Sequence, residues 1–118
     1  MKIIYKRTKD KKLCTNENKA IKQLGQEFAR DLFDLIGAIE EAAIVLKDID
    51  LPQYRLNPLT GNKEGIYSLT INYRSKYRIE FIPLDENDEE MIRTTDLNTF
   101  YKKVKSIRII EISEHYEK

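Results

Sequence analysis

The segment from residue 56 to residue 81 constrains the fold of this chain more than any other. It reads LNPLTGNKEGIYSLTINYRSKYRIEF, so that a glycine-containing turn, a strand, a basic turn and a second strand follow in close order. Successive side chains of a strand point to opposite faces of a sheet. The apolar face is expected to carry Tyr67, Leu69, Ile71, Tyr77, Ile79 and Phe81. The sequence therefore predicts a β-hairpin whose opposite face carries Ser68, Thr70, Arg78 and Glu80.

The N-terminal half has helical patterns after a short strand. Residues 3–5 (IIY) predict a first strand, which the basic run 6–12 closes. Residues 16–24 have the periodicity of a brief helix, and Gly25 is its stop. From Gln26 to Leu46, apolar residues recur at three- and four-residue steps, a pattern typical of an amphipathic helix. This half is predicted to form the helical layer.

The C-terminal third predicts a strand, a charged loop, a short helix and a final strand. Pro83 is expected to end the second hairpin strand, and the acidic run 85–90 to be a solvated loop. Asp96 is placed to cap a short helix that reaches Val104. Residues 107–112 (IRIIEI) contain four isoleucines, a nearly continuous apolar pattern as in a central strand. The predicted fold class is α+β, with N-terminal helices packed on a small twisted, mainly antiparallel sheet.

Length and composition predict a single cytoplasmic domain, residues 1–118, without a metal or cofactor. The chain has 118 residues, 41% of them hydrophobic, which suits one modest core. Its longest apolar run, residues 42–46, is too short to span a bilayer, and its first residues lack a secretory signal, so no membrane partner is expected. One cysteine and one histidine give neither a disulfide framework nor the usual zinc ligands.

Charge is segregated along the chain although the net charge is only +1. The first 25 residues carry eight Lys or Arg against two acids, whereas residues 82–101 carry one against six. This segregation indicates either a positive face for phosphate or a mixed solvated surface. The N-terminal basic run could contact ribosomal RNA, or could simply be a solvated terminus. It consists of Lys6, Arg7, Lys9, Lys11 and Lys12.

Taken together, the hairpin and the last strand resemble the HigB-type killer toxins of the RelE/ParE superfamily. That family has a pattern close to PLxGNRxGxxSLxL, then YRLIF, then VxILEIxDYH near the C-terminus. The matching residues here are Pro58, Leu59, Gly61, Asn62, Gly65, Ser68, Leu69, Tyr77, Arg78, Phe81, Ile109, Glu111, Ile112 and Glu114. The helical region before the hairpin also resembles the family, so the resemblance spans nearly the whole chain.

The resemblance implies a RelE/ParE-like fold and the toxin of a type II toxin-antitoxin system. It implies an endoribonuclease that cuts messenger RNA on the ribosome and thereby inhibits translation. The implied partners are the ribosome, messenger RNA and a cognate antitoxin, expected to be a small helix-turn-helix protein like HigA. RNA supplies its own nucleophile, the 2′-hydroxyl, so the reaction needs only a base, an acid and cations that stabilise charge on the phosphate.

Arg78 is the candidate for stabilising the phosphate. Its planar guanidinium can donate two hydrogen bonds to phosphate, and its strand parity directs it away from the predicted core. The other interpretation is an ordinary cross-strand ion-pair partner.

His115 and Tyr116 are the candidates for the acid and the base. The resemblance aligns them with the family's terminal tyrosine and histidine, in transposed order. Histidine titrates near neutral pH, whereas a tyrosine needs nearby cations to lower its pKa before it can act as a base. The sequence does not separate the two, and both could be idle near a frayed chain end.

Further cations surround the hairpin. Thr60 stands where many relatives carry lysine, while Lys63 matches a basic position of the family and is taken as catalytic. Arg74 and Lys76 lie in the basic turn and could bind RNA, as Tyr73 could by stacking on a base. Each of these cations could equally be an ordinary surface residue.

A second function remains open. A chain with this fold could bind a protein target, such as DNA gyrase, or could be an antitoxin-binding module with weakened nuclease activity. Thr60 and the transposed His-Tyr pair favour that alternative.

Overall fold

A computed structural model describes residues 1–71 and 77–114 of the protein. Four helices and five strands alternate with short 3₁₀ and π turns. In chain order they are β1 Lys2–Tyr5, α1 Thr8–Thr15, α2 Glu17–Leu24, α3 Gln26–Gly37, β2 Asn57–Pro58, β3 Tyr67–Thr70, β4 Tyr77–Leu84, α4 Leu97–Tyr101 and β5 Ser106–Glu114. The N-terminal helices and the later strands have the order that the sequence predicted.

All five strands form one sheet, in the order β1-β5-β4-β3-β2. β1 pairs with β5 in parallel, whereas the other neighbouring strands are antiparallel. β5 therefore lies between β1 and β4, which confirms the central position predicted from its apolar sequence. The α+β class with a mainly antiparallel sheet is also confirmed.

The core lies between the helical layer and one face of the hairpin. Leu32 and Leu35 of α3 are fully buried in the same cluster as Leu69, Ile79 and Phe81 of the sheet. Burial of each such side chain contributes about 1.5–3 kcal/mol relative to exposure. The period-two alternation of the hairpin thus identified its buried face correctly.

Two features of the helical layer differ from the sequence prediction. The basic run that was expected only to close β1 is largely part of α1, where Leu13 and Cys14 are buried. The long helix expected to reach Leu46 changes after Gly37 into a π turn, Ala38–Ala42. There the Met1 amine donates hydrogen bonds to the carbonyl oxygens of Ile39 at 2.9 Å and Ala43 at 2.7 Å. The helix end is therefore set by a tertiary contact.

The boundary between α2 and α3 follows the sequence prediction. The Asn16 side chain accepts a hydrogen bond from the Lys19 backbone amide and caps α2. Gly25 has φ +88°, a conformation that favours glycine, and it separates α2 from α3. The cap by Asp96 is also present, through the Thr99 amide, but α4 ends at Tyr101 and does not reach Val104.

Pro83 does not end β4, as the sequence had suggested, because the strand continues to Leu84. The Pro83 carbonyl accepts a hydrogen bond from the Met91 amide. In a β-strand, the amide and the carbonyl of one residue point to the same side. The Pro83 carbonyl points toward residue 91, so the N–H that proline lacks would have pointed there too, and not toward β5. β3 pairs with β4 only as far as Phe81, so Pro83 lies where no strand needs that donor.

Residues 85–90 form an exposed turn, as expected of so acidic a sequence. The Asp85 carboxylate accepts hydrogen bonds from the backbone amides of Asn87 and Glu89. Among the described residues, no helix is both long enough and apolar enough to cross a membrane.

Candidate functional site

The face of the sheet opposite the core carries two rows of polar side chains from β3, β4 and β5. Cross-strand pairing fixes these rows, because residues in register point to the same face. One row is Ser68, Glu80 and Glu111, and the next is Thr70, Arg78 and Ser113. The hairpin prediction had placed Ser68, Thr70, Arg78 and Glu80 on this face.

A β-bulge lets β5 contribute to both the core and this polar face. The register shifts between Glu80 and Phe81, which pair with Glu111 and Ile109 respectively, so Ile110 is the extra residue on β5. Without the bulge, Ile109 and Glu111 would point to the same face, since they are two residues apart. The bulge thus directs Ile109 into the core and Glu111 toward Glu80.

Glu80 is at the centre of the polar face, and its side chain is only 2% exposed. The Lys63 Nζ donates to both carboxylate oxygens, at 3.0 and 3.2 Å. The Arg78 Nε and Nη2 both donate to Oε2, at 3.1 and 2.9 Å. The Ser113 hydroxyl lies 3.3 Å from the same oxygen. We refer to Lys63, Arg78, Glu80 and Ser113 as the Glu80 cluster.

The Glu80 carboxylate is ionised at neutral pH. Burial alone would raise its pKa, but the hydrogen bonds and charges of Lys63 and Arg78 outweigh burial and hold the pKa below its ordinary value. The four side chains of the cluster carry a net charge of +1, and Glu111 lies in register with Glu80 on the neighbouring strand. An anion from outside would meet two cations at this position.

Lys63 reaches Glu80 because a tight turn precedes β3. Gly61 has φ +67° and Gly65 has φ +91°, and both conformations favour glycine. Between them, residues 61–63 form a 3₁₀ turn, and the Ile66 amide donates to the Lys63 carbonyl at 3.0 Å. This turn brings Lys63 over a carboxylate 17 residues further along the chain.

Arg78 lies on the polar face, as its strand parity predicted, and its side chain is 18% exposed. Its ion-pair partner is Glu80, two residues further along the same strand, so the pair is not the cross-strand one that the sequence left open. Nε and Nη2 lie on one edge of the guanidinium, and both are directed at Glu80. Nη1 lies on the other edge.

His115, Tyr116, Tyr73, Arg74 and Lys76 lie outside the described residues. Tyr77, the first residue of β4, pairs with Glu114, the last residue of β5. In the sequence, residues 115 and 116 come directly after Glu114, whose pairing partner Tyr77 precedes Arg78.

The N-terminal basic run is divided between a buried ion pair and an exposed helix surface. Lys6, Lys9, Lys11 and Lys12 are exposed. Arg7 instead donates from Nε and Nη2 to the Asp10 carboxylate, at 2.7 and 3.0 Å, and Asp10 is only 1% exposed. The hydrogen bond to Asp10 raises the pKa of Arg7, and the charge of Glu111 raises it further.

A separate cleft lies beside the turn that carries Lys63. Its volume is about 380 Å³, and residues 58–61 and 90–93 line much of it. Thr60 and Arg93 both line this cleft, and burial raises the pKa of the Tyr67 hydroxyl, an effect that the charge of Arg93 partly offsets. The resemblance had led us to expect a lysine at position 60. Thr60 instead lines this cleft together with Arg93, a cation from another segment.

Glu80 and Ser113 are members of the cluster that were given no role from the sequence. Glu80 could have been identified from the Arg-x-Glu spacing, which places opposite charges on the same face of a strand. Ser113 could not, because its contact depends on the register of β5 and on the bulge. Among residues 1–71 and 77–114, no group of three His, Cys, Asp or Glu side chains is arranged to hold a metal ion.

Comparison with known proteins relates the chain to others by fold. No family model matches it, and no curated protein sequence does. A solved YoeB/ParE toxin from Agrobacterium tumefaciens superposes with a TM-score of 0.53 at 14% identity, covering 98% of this chain and 100% of that one. The YoeB-YefM complex from Staphylococcus aureus gives a TM-score of 0.48 at 16% identity, covering 98% of each chain. From the first of these, we conclude that the chain has the fold of the YoeB/ParE toxins.

Proposed function

We propose that this protein is the toxin of a type II toxin-antitoxin system, and that it acts as a ribosome-dependent messenger-RNA endoribonuclease. The observation that carries the proposal is the Glu80 cluster, a net-positive group on the polar face of a YoeB/ParE-like sheet. The strand beside it leads directly to His115 and Tyr116. The HigB branch suggested by the sequence motifs is part of the proposal.

The reaction would begin with attack of the RNA 2′-oxygen on the adjacent phosphorus. The bond from phosphorus to the 5′-oxygen breaks, which leaves a 2′,3′-cyclic phosphate and a free 5′-hydroxyl. Arg78 and Lys63 would stabilise the negative charge that grows on the non-bridging oxygens. His115 and Tyr116 would exchange the protons, since one group must accept the 2′-hydroxyl proton and another must supply a proton to the 5′-oxygen.

Glu80 is a poor candidate for the base despite its central position. Its oxygens already accept hydrogen bonds from Lys63, Arg78 and Ser113. Its pKa lies below the ordinary value, so it has little affinity for a proton at neutral pH. The proton-transfer roles are therefore assigned to His115 and Tyr116.

The other partners in the proposal are the ribosome and a small helix-turn-helix antitoxin like HigA. The exposed lysines of the N-terminal run would contact RNA phosphates, each adding affinity that falls with salt and does not depend on sequence. Arg74, Lys76 and Tyr73 would contact the message from the basic turn. Arg7 contributes less, because Asp10 already occupies its guanidinium.

The decisive experiment is induced expression of the protein, followed by mapping of transcript 5′ ends. The wild type should produce cuts at defined codon positions on ribosome-bound messages. Arg78→Ala, His115→Gln and Tyr116→Phe, examined separately, should reduce cutting. Arg30→Ala, which removes an exposed arginine from α3, is the matched control and should cut normally. Equal cutting by every variant would refute the site assignments.

A second candidate function is binding of a protein target such as DNA gyrase. The contact between Arg78 and Glu80 favours this second function, because the guanidinium edge that bonds Glu80 is not available to an RNA phosphate. The same induction experiment separates the two functions. Intact transcripts together with altered DNA supercoiling would support the protein-binding alternative and exclude the nuclease. Intact transcripts with normal supercoiling would instead point to a weakened antitoxin-binding module.

A further inference from the structure

We propose that Glu80 weakens the preference of the Arg78–Lys63 site for a doubly charged terminal phosphate, so that the singly charged phosphodiester of an RNA chain interior can compete for it. The inference rests on the proposed function, because it assumes that this site binds an RNA phosphate. It adds a role for Glu80, as the residue that sets the charge of the site.

The Glu80 carboxylate is held in a fixed position by its neighbours. It contacts both cations at about 3 Å and is also held by Ser113. Being 2% exposed, it cannot swing into solvent without breaking all of these contacts. Any anion that binds Arg78 and Lys63 from outside must therefore remain near a permanent negative charge.

Within residues 1–71 and 77–114, the contacts of Arg78 leave one edge of its guanidinium for such an anion. Nε and Nη2 donate to Glu80 Oε2, so a phosphate would use Nη1 on the remaining edge together with Lys63, which is 43% exposed. Such a phosphate would lie close to the Glu80 carboxylate, because both would contact the same two cations. Glu80 would repel the ligand while holding the cations that attract it.

The charge of the ligand determines how large this repulsion is. Coulomb energy is proportional to the charge, so a dianion is repelled twice as strongly as a monoanion at the same distance. A phosphodiester in RNA carries one negative charge, whereas a terminal phosphate is close to doubly charged at neutral pH because its second pKa is about 6. Glu80 thus weakens binding of chain ends more than binding of chain interiors, as an endonuclease requires.

The test compares two small anions in the purified full chain. Dimethyl phosphate is the monoanionic probe, and inorganic phosphate at pH 7.5 is the mainly dianionic one, both followed by NMR titration at an ionic strength of about 0.1 M, where the Debye length is about 10 Å. Removing the charge with Glu80→Gln should tighten dimethyl phosphate binding about tenfold and inorganic phosphate binding about a hundredfold, because the second factor is the square of the first. Equal gains for both probes, or weaker binding of either, would overturn the proposal.

A second pair of variants tests the same charge if Glu80→Gln alone does not fold. Lys63→Gln lowers the cluster charge to zero, and Lys63→Gln combined with Glu80→Gln returns it to +1 with neutral partners at both positions. Adding Glu80→Gln to Lys63→Gln should raise the affinity for dimethyl phosphate by some factor. It should raise the affinity for inorganic phosphate by the square of that factor. An unchanged ratio between the two affinities would refute the role of Glu80.

Asp88→Asn is the control for overall charge. Asp88 pairs with Lys2 at 3.0 Å on an exposed surface, so this change adds the same charge to the chain without altering the Glu80 cluster. It should leave both affinities within about twofold, since exposed charges beyond a Debye length are largely screened. If it reproduced the effect of Glu80→Gln, the selectivity would belong to net charge and the proposal would fail. These titrations need no ribosome, so a protein that cuts no transcripts would refute the nuclease without affecting the selectivity result.

Discussion

Among the residues that the structure describes, two buried carboxylates each form an ion pair with an arginine side chain, but the two groups differ in net charge. Asp10 is 1% exposed and bonded to Arg7, which gives a neutral pair at the start of α1. Glu80 is 2% exposed and bonded to both Arg78 and Lys63, which leaves a positive charge. A neutral pair can only hold structure together, whereas an unbalanced cluster can also bind a ligand. Charge balance, and not burial, therefore distinguishes the Glu80 cluster from the Arg7–Asp10 pair.

The largest expected difference between the two regions is in RNA cleavage. Arg78→Ala should reduce transcript cutting about a hundredfold, the usual loss when one donor to a charged transition state is removed. Arg7→Ala should leave the cutting by folded protein within about threefold, because its guanidinium is already bonded to Asp10. Cleavage rates per folded molecule are the measurement, and similar losses for the two variants would remove the distinction drawn here.

Stability should show the opposite order. Arg7→Ala leaves the buried Asp10 carboxylate without its arginine and should lower the free energy of unfolding by about 3 kcal/mol. Arg78→Ala should lower it less, by about 1–2 kcal/mol, because Lys63 and Ser113 still bond Glu80. Urea unfolding at pH 7 measures both values. A greater loss for Arg78→Ala would mean that the Glu80 cluster is the more structural of the two regions.

Acid should remove the contribution of Glu80 to stability. Its pKa is lowered in the folded protein, so this contribution is fully present above the pKa of the unfolded chain, about 4.3 for glutamate, and is lost as pH falls through the folded value. The difference in unfolding free energy between wild type and Glu80→Gln should be constant near neutral pH and shrink in acid. Urea titrations from pH 7 to pH 3 test this, and a gap that widens in acid would contradict the sign of the shift.

The smallest effects are expected from the lysines. Lys63→Gln should lower the free energy of unfolding by about 1 kcal/mol, because Glu80 is buried but the lysine is 43% exposed. Lys2→Gln breaks a pair in which both side chains are exposed and should change it by less than about 0.5 kcal/mol. Thermal unfolding of both variants is the measurement. Equal, negligible changes would show that Arg78 alone balances Glu80.

Sequence patterns predicted the hairpin well because its periodicity is local. Leu69, Ile79 and Phe81 are buried and Arg78 lies on the opposite face, as alternation requires. The same reasoning failed at Pro83, where the outcome depends on how far β3 extends beside β4. Periodicity also failed to predict α1, because most residues of this segment are charged or polar and only Leu13 and Cys14 near its end are apolar and buried.

The candidate site was predicted only in part, for a related reason. Arg78 and Lys63 were both named as candidate site residues from the sequence. Arg78 was named from strand parity and family resemblance, and Lys63 from the resemblance alone. Their shared partner Glu80 was placed on the correct face without a role, because a strand pattern gives the direction of a side chain and not its neighbours. Lys63 and Glu80 are 17 residues apart, and only the turn at residues 61–63 joins them.

The sequence by itself determined the helix-then-sheet order, the faces of the hairpin and the supply of cations around it. These properties depend on periodicity and residue type within a few positions of the chain. The tertiary structure decided the bulge at Ile110, the contact of Ser113 and the burial of Glu80 between two cations. Such features arise from pairing between distant segments, and burial is what turned an ordinary surface glutamate into a fixed charge.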